Sequence, residues 1–254
     1  MGCFPVMVAA ELRKLRGTAL LPTGAVSGAA AIGISLYLAA ADTTTAYTFP
    51  LFAGNVIANT MEELLPFTAA LVVGQMMERE RSCGTLKNIL AVPVSFRRLL
   101  AAKLAAGAWL VVLYALLQWG LSLAACALLG LPGLTGGSAA WALGMLLGND
   151  LCVYAALLPV LALAAQFAGG YAAGIGFALF YGFCGVIATG HGWTALYPPT
   201  AGTVLLRFRM EPTPRELACA ALSLLASLGL AVALTACARD RSGEKQEEIS
   251  GKAE

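Results

Sequence analysis

Charged side chains are scarce in this chain. Lys, Arg, Asp and Glu make up 12% of its 254 residues, against 59% hydrophobic, where soluble domains carry about 25% charged residues. That balance, with a mean hydropathy of +0.78, excludes a water-soluble fold and reads as an all-α integral membrane protein. A formal net charge of +2 is too weak a field to recruit nucleic acid. The single histidine, His191, leaves no His set for water activation or metal binding. Seven cysteines (Cys3, Cys83, Cys126, Cys152, Cys184, Cys219 and Cys237) include no C-x-x-C pair, which argues against a disulfide framework and a zinc site. No metal ligand is assigned, and the thiols read as small apolar fillers. The phosphate-cradling loop G-x-x-x-x-G-K-[ST] is also missing; "GTLKN" at 84–88 has a lone Gly and a Lys at the wrong spacing. If ATP and Mg drive this protein, they bind another chain, and no cofactor is assigned to this one.

What the chain has instead is long apolar runs. A crossing helix needs about 20 mostly apolar residues, because the hydrocarbon core is roughly 30 Å thick and a helix rises about 1.5 Å per residue. Six runs meet this: Ala19–Ala41, Met61–Met77, Ala105–Leu129, Ala140–Ala165, Tyr171–Ala188 and Leu217–Ala238. The fourth and fifth are joined only by "QFAGGY", which leaves a fused or re-entrant pair open. With the N-terminus inside, thirteen of the sixteen Lys and Arg fall in inner segments and only Arg207, Arg209 and Arg215 outside. Short basic loops stay on the cytoplasmic side, so both termini are expected in the cytoplasm. Residues 1–238 then form one six-span domain, with an inner segment at 78–98, an outer loop at 189–216 and a charged cytoplasmic tail at 239–254. The first run is too long for the core of a cleaved secretory signal, and Val6 occupies the position where a myristoylation site wants Ser or Thr.

The inner segment is the most polar long stretch of the first two hundred residues. "ERERS" at 78–82 cannot sit in hydrocarbon. After Thr85, Leu86, Ile89 and Leu90 recur at helical spacing, the stripe of a short amphipathic helix that wants a partner. Pro93 stops it, and Ser95 is placed to cap a helix running from Phe96 through the third span to Leu129. Such a helix is about 50 Å long, so its first turns project beyond the bilayer.

Glu80, Arg81, Gly84, Thr85, Leu86, Leu90, Pro93, Ser95 and Lys103 resemble the E-R-x-x-G-T-L…L…P-x-S…K pattern of type 2 ABC exporter permeases. The resemblance implies that 78–98 carries a coupling helix seated in a groove of a separate ABC ATPase subunit, which binds the ATP and Mg. The segment "AELRKLRGT" at 10–18 looks like the amphipathic stretch such permeases lay on the inner interface. Within the family the chain most resembles permeases of lantibiotic-immunity and bacitracin-export systems, through its length and its "ERE…GTLKN" turn. This implies a non-catalytic transport subunit in a bacterial plasma membrane. It would work with an ATPase dimer and a second permease, identical or different, to remove antimicrobial peptides from membrane lipid.

Four further polar positions are candidates for a substrate path. Asp150 and Asn149 lie about ten residues into the fourth span, where an ionised group costs a few kcal/mol unless paired or wet. They read either as a path for a cationic peptide or as a hydrogen bond to a neighbouring helix. Glu62 and Glu63 start the second span on the outer side, and Thr60 with Glu63 has capping-box spacing, so capping leads and attraction of a basic peptide is secondary. The same pair raises a glutamate-type intramembrane protease, but Phe67 stands where its E-E-x-x-x-R pattern requires Arg. A secondary transporter driven by an ion gradient calls for inverted repeats and paired intramembrane charges, which the sequence does not display. His191 sits in an aromatic, Gly/Pro-rich loop of interfacial character. Gly24/Gly28, Gly144/Gly148 and Gly170/Gly174 have the spacing that permits close helix approach, within one subunit or between two.

Overall fold

The computed structural model describes residues 3–15, 18, 20–41, 47–84, 95–167 and 169–239, and every regular element among them is helical. A short helix α1 (Cys3–Lys14) precedes α2 (Leu20–Ala41). Next come α3 (Phe49–Asn59), a π turn (Thr60–Leu64) and α4 (Leu65–Ser82), which form one continuous rod. The long helix α5 (Phe96–Leu129) is followed by α6 (Gly136–Ala164) and α7 (Gly170–Gly190), then a short α8 (Pro198–Leu205) and α9 (Pro214–Ala236). Six of these rods are long and apolar enough to cross a membrane.

The third span has the expected bounds, because nothing between Phe96 and Leu129 interrupts an apolar helix and Gly130, at φ 63°, ends it. Ser95 is its N-cap residue in position, with extended backbone, but its hydroxyl makes no capping bond. The second span differs from expectation. It begins at Phe49, with Pro50 in its first turn, rather than at Met61. Thr60 is not a cap: its backbone is helical (φ −68°, ψ −45°), and its hydroxyl accepts a hydrogen bond from Gln118 Nε2 at 2.7 Å. The capping-box reading of Thr60 and Glu63 is therefore wrong, and Glu62 and Glu63 lie inside a running helix. Pro66 explains the π turn there. It offers no N–H to the Glu62 carbonyl four residues earlier and its ring crowds that oxygen; the chain widens by one residue, and the Leu65 N–H bonds to the Thr60 carbonyl instead. Gly182 of α7 packs against this spot, where a Cβ would collide with the Glu62 carbonyl and the Pro66 ring.

The fourth and fifth spans are separate helices joined by a tight turn through Gly169 (φ 68°). Gly170 and Gly174 lie against Ala164 of the preceding helix, so this glycine pair serves packing within the subunit. The region expected as an outer loop holds α8, which folds back so that Ala201 and Val204 bury against Ala156 of α6 and Ala220 of α9. A capping box of Thr213 and Glu216 starts α9. The main core lies between α4, α5 and α6, with Met77, Leu100 and Leu157 enclosed. The end of the bundle that carries α1 is called proximal below, and the opposite end distal.

Candidate functional site

At the proximal end α4 and α5 run antiparallel, and the chain leaves at Gly84 and returns at Ser95. Thr85, Leu86, Leu90 and Pro93, with the short amphipathic helix expected around them, lie outside the described residues. Glu80, Arg81, Gly84 and Ser95 form the described base of that segment, together with Lys103 two turns into α5.

Lys103 is 1% exposed, so its ammonium needs an anion close by. It has two. Its Nζ lies 2.6 Å from Glu11 Oε2 on α1 and 3.0 Å from Glu80 Oε1 on α4, and it also donates to the Met76 carbonyl at 2.9 Å. Lys14 closes the ring from the rim, 2.6 Å from Glu11 Oε1 and 2.8 Å from Glu80 Oε1. Burial works to raise the pKa of the Glu11 carboxyl, but the Lys103 and Lys14 ammoniums outweigh it and hold that carboxyl below the ordinary carboxylate range. Burial likewise works against charge on Lys14, and its bonds to Glu11 and Glu80 hold its pKa above the ordinary range. Val8, Leu15, Val72, Met76, Ala102 and Ala106 bury the apolar face of α1 against α4 and α5 beneath this ring. The two alanines are what lets α1 come close enough for Glu11 to reach Lys103.

Arg81 points the other way. Its guanidinium donates to the carbonyls of Ala165 (2.6 Å) and Phe167 (2.7 Å) in the turn between α6 and α7. These are orphan carbonyls at a helix C-terminus, where a cation is favoured. Glu78 receives the Gly169 N–H at 3.3 Å on the same turn, and the Gln166 amide oxygen receives the Arg239 N–H at 3.4 Å. Gly84 has φ +66° with open space around it, a left-handed backbone that only glycine adopts freely. The base of the segment is thus tied to α1 and α5 by one ring of charge and to the α6–α7 turn by one arginine.

The other candidates lie apart from this base and from one another. Asp150 and Asn149 are 0% and 1% exposed, and no described residue hydrogen-bonds any of their four side-chain polar atoms. Asn149 faces Gly202 of α8. One turn on, the Tyr154 hydroxyl reaches the Leu104 carbonyl at 2.7 Å past Gly107, whose missing Cβ makes room for it. Glu62 is half-buried and Glu63 exposed, both on the π turn. Neither hydrogen bond nor ion pair joins these four residues.

Sequence reasoning marked Glu80, Arg81 and Lys103 but not Glu11 or Lys14 as members of the site. Two signals pointed to them: a lysine inside an apolar helix demands a carboxylate, and Glu11 and Lys14 have the three-residue spacing of a helical ion pair.

The sequence matches the model of a family described as ABC-2 family transporter protein over residues 7–185. The chain belongs to this ABC-2 family. The match includes the whole charge ring, Arg81 and the α6–α7 turn that it holds, and leaves out α8 and α9. No curated protein matches the chain. ABC-2 family members are the membrane subunits of ABC transporters and work with an ABC ATPase, and with its six membrane-capable helices this chain is a multi-pass membrane protein of that kind.

Proposed function

We propose that this ABC-2 protein is the permease subunit of an exporter that clears antimicrobial peptides, lantibiotic- or bacitracin-like, from a bacterial plasma membrane. Both termini and the proximal end face the cytoplasm, in keeping with the inner excess of Lys and Arg. The ATPase, a dimer holding ATP and Mg, seats on segment 78–98, and a second permease, identical or different, completes the pore. The observation that carries this reading is the grip on both ends of the segment. Lys103, Glu11, Glu80 and Lys14 lock it to α1 and α5, and Arg81 locks it to the α6–α7 turn. A solvated loop needs no such anchorage; a lever does. The peptide assignment rests on the resemblance of the "ERE…GTLKN" turn, and the buried polar pair Asn149 and Asp150 gives a cationic cargo a place to be attracted to.

Purification of the tagged chain with its genomic neighbours is expected to retain an ABC ATPase. Gly84→Val forces a β-branched residue into left-handed backbone at a cost of roughly 1–2 kcal/mol. It is expected to abolish protection of cells against a cationic lantibiotic while the chain still reaches the membrane. Wild-type protection by Gly84→Val, or a complex with no nucleotide-hydrolysing subunit, would overturn the reading.

A further inference from the structure

A groove of about 650 Å³ opens on the side of the bundle at its proximal end, walled by α5, α6 and α9. Its proximal mouth carries Arg97 and Arg98, and its floor runs along α5 to Ala108, with Leu151, Leu158 and Val232 on the flanks. From Arg97 to Ala108 the helix rises about 16 Å, close to half of the roughly 30 Å hydrocarbon thickness. The groove therefore has the depth of one leaflet.

Among the described residues the two arginines have no anion of their own. Both are exposed, and neither guanidinium makes a hydrogen bond or ion pair with any described residue. The nearby acids are taken: Glu11 and Glu80 by Lys14 and Lys103, and Glu78 by the α6–α7 turn with Arg81 at 4.0 Å. The arginines also stand in the first turn of α5, which has no acidic residue and where the helix dipole already disfavours cations. Positive charge thus converges at one end of an apolar trough. Thr235 and Tyr154 are the uncharged polar side chains in the lining, and the Tyr154 hydroxyl is already given to the Leu104 carbonyl, so the walls cannot answer the amide groups of a peptide backbone. An amphiphile with an anionic head and hydrocarbon tails fits every wall.

We propose that the groove binds an anionic glycerophospholipid of the leaflet at the α1 end. Its phosphate is held by Arg97 and Arg98 and its acyl chains lie along α5 between Leu151, Leu158 and Val232. This site stands independently of which ATPase or cargo the protein uses. It places a lipid headgroup two residues from Ser95, where the chain returns from the coupling segment.

The test uses the full chain purified in neutral detergent, titrated with dioleoyl phosphatidylglycerol or dioleoyl phosphatidylcholine, with bound lipid counted by native mass spectrometry. Phosphatidylglycerol is expected to be retained preferentially. Arg97→Gln/Arg98→Gln is expected to erase the preference, by about fivefold per arginine, the factor matching ~1 kcal/mol per basic residue near an anionic bilayer surface. Arg97→Lys/Arg98→Lys should keep most of it, and Arg207→Gln/Arg209→Gln, at the distal end, should leave it intact. Equal binding of the two lipids by the wild-type chain, or a full preference surviving in Arg97→Gln/Arg98→Gln, would overturn the proposal. A preference appearing only in a chain ending at Arg239 would also overturn it, assigning the groove to the carboxylates of segment 240–254.

Discussion

The proximal ring and the middle of α6 both bury polar groups, and they do so in opposite ways. At the ring, two carboxylates and two ammoniums answer one another at 2.6 to 3.0 Å, and even the Lys103 proton left over finds a carbonyl. At Asp150 and Asn149, four polar atoms are as deeply buried and no described residue bonds to any of them. Burying a charge costs several kcal/mol, and only a partner of good geometry returns it. The ring therefore answers its own burial, and removing one member would strand a buried charge. The burial of the Asp150 pair is not offset by a hydrogen bond from any described residue.

Removing one member of the ring should show the largest effect. Lys103→Met leaves Glu11 and Glu80 buried with only the half-exposed Lys14 to answer them, and is expected to cost about 3–5 kcal/mol, read as a fall in the unfolding temperature of the detergent-purified chain. Lys103→Met/Glu11→Gln/Glu80→Gln removes all buried charge and should recover much of that loss. A single variant as stable as wild type would show that the ring carries no load.

Titration comes next in size. The Glu11 carboxyl is held below its ordinary 4.5, so its contribution is complete above that value and is lost as pH falls through the lower folded-state value. Lys14 is held above its ordinary 10.5, so its share is complete below that value and is lost as pH rises through the higher one. Thermal unfolding followed between about pH 6 and pH 3 should therefore lose stability in wild type. In Glu11→Gln the decline should be shallower; identical acid limbs would remove Glu11 from the account. Lys14→Gln should be milder still, at most about 1 kcal/mol, because half of the Lys14 side chain is in solvent.

The parts of the fold legible in the sequence are those set by local pattern. The bounds of α5 follow from an unbroken apolar run ended by Gly130, and the base of segment 78–98 shows as a crowd of acids and bases between the second and third spans. The start of the second span is not legible. Asn55, Asn59 and Thr60 precede the expected start at Met61, yet each is answered within the fold: Asn55 by Tyr47 and Arg209, Asn59 by Ser35, Thr60 by Gln118. Glu11 is hidden for the same reason, since its partner Lys103 is 92 residues away. Pairings across such distances leave no trace in periodicity; they leave only an unbalanced charge, which says that a partner exists without saying where. A disturbance just before Pro66 is readable in the sequence, because a proline inside a span frees the carbonyl four residues before it; that it takes the form of a π turn is not, since Pro159 sits inside an unbroken α6.

The smallest expected change in stability sharpens the comparison most. Asp150→Asn keeps the shape of the side chain and removes the ionisable group, and with no described hydrogen-bond partner to strand, it should leave the unfolding temperature unchanged or slightly higher. A residue kept for stability cannot behave that way. If Asp150 serves a cationic peptide passing through the membrane, the same variant should lose protection against that peptide while retaining the ATPase subunit in the purified complex. Full protection would take Asp150 off the path, and a large drop in stability would mean that it has a bonding role like that of the ring. With Lys103→Met destabilised and Asp150→Asn folded but inactive, the two buried polar sites would separate into one that carries force and one that meets the cargo.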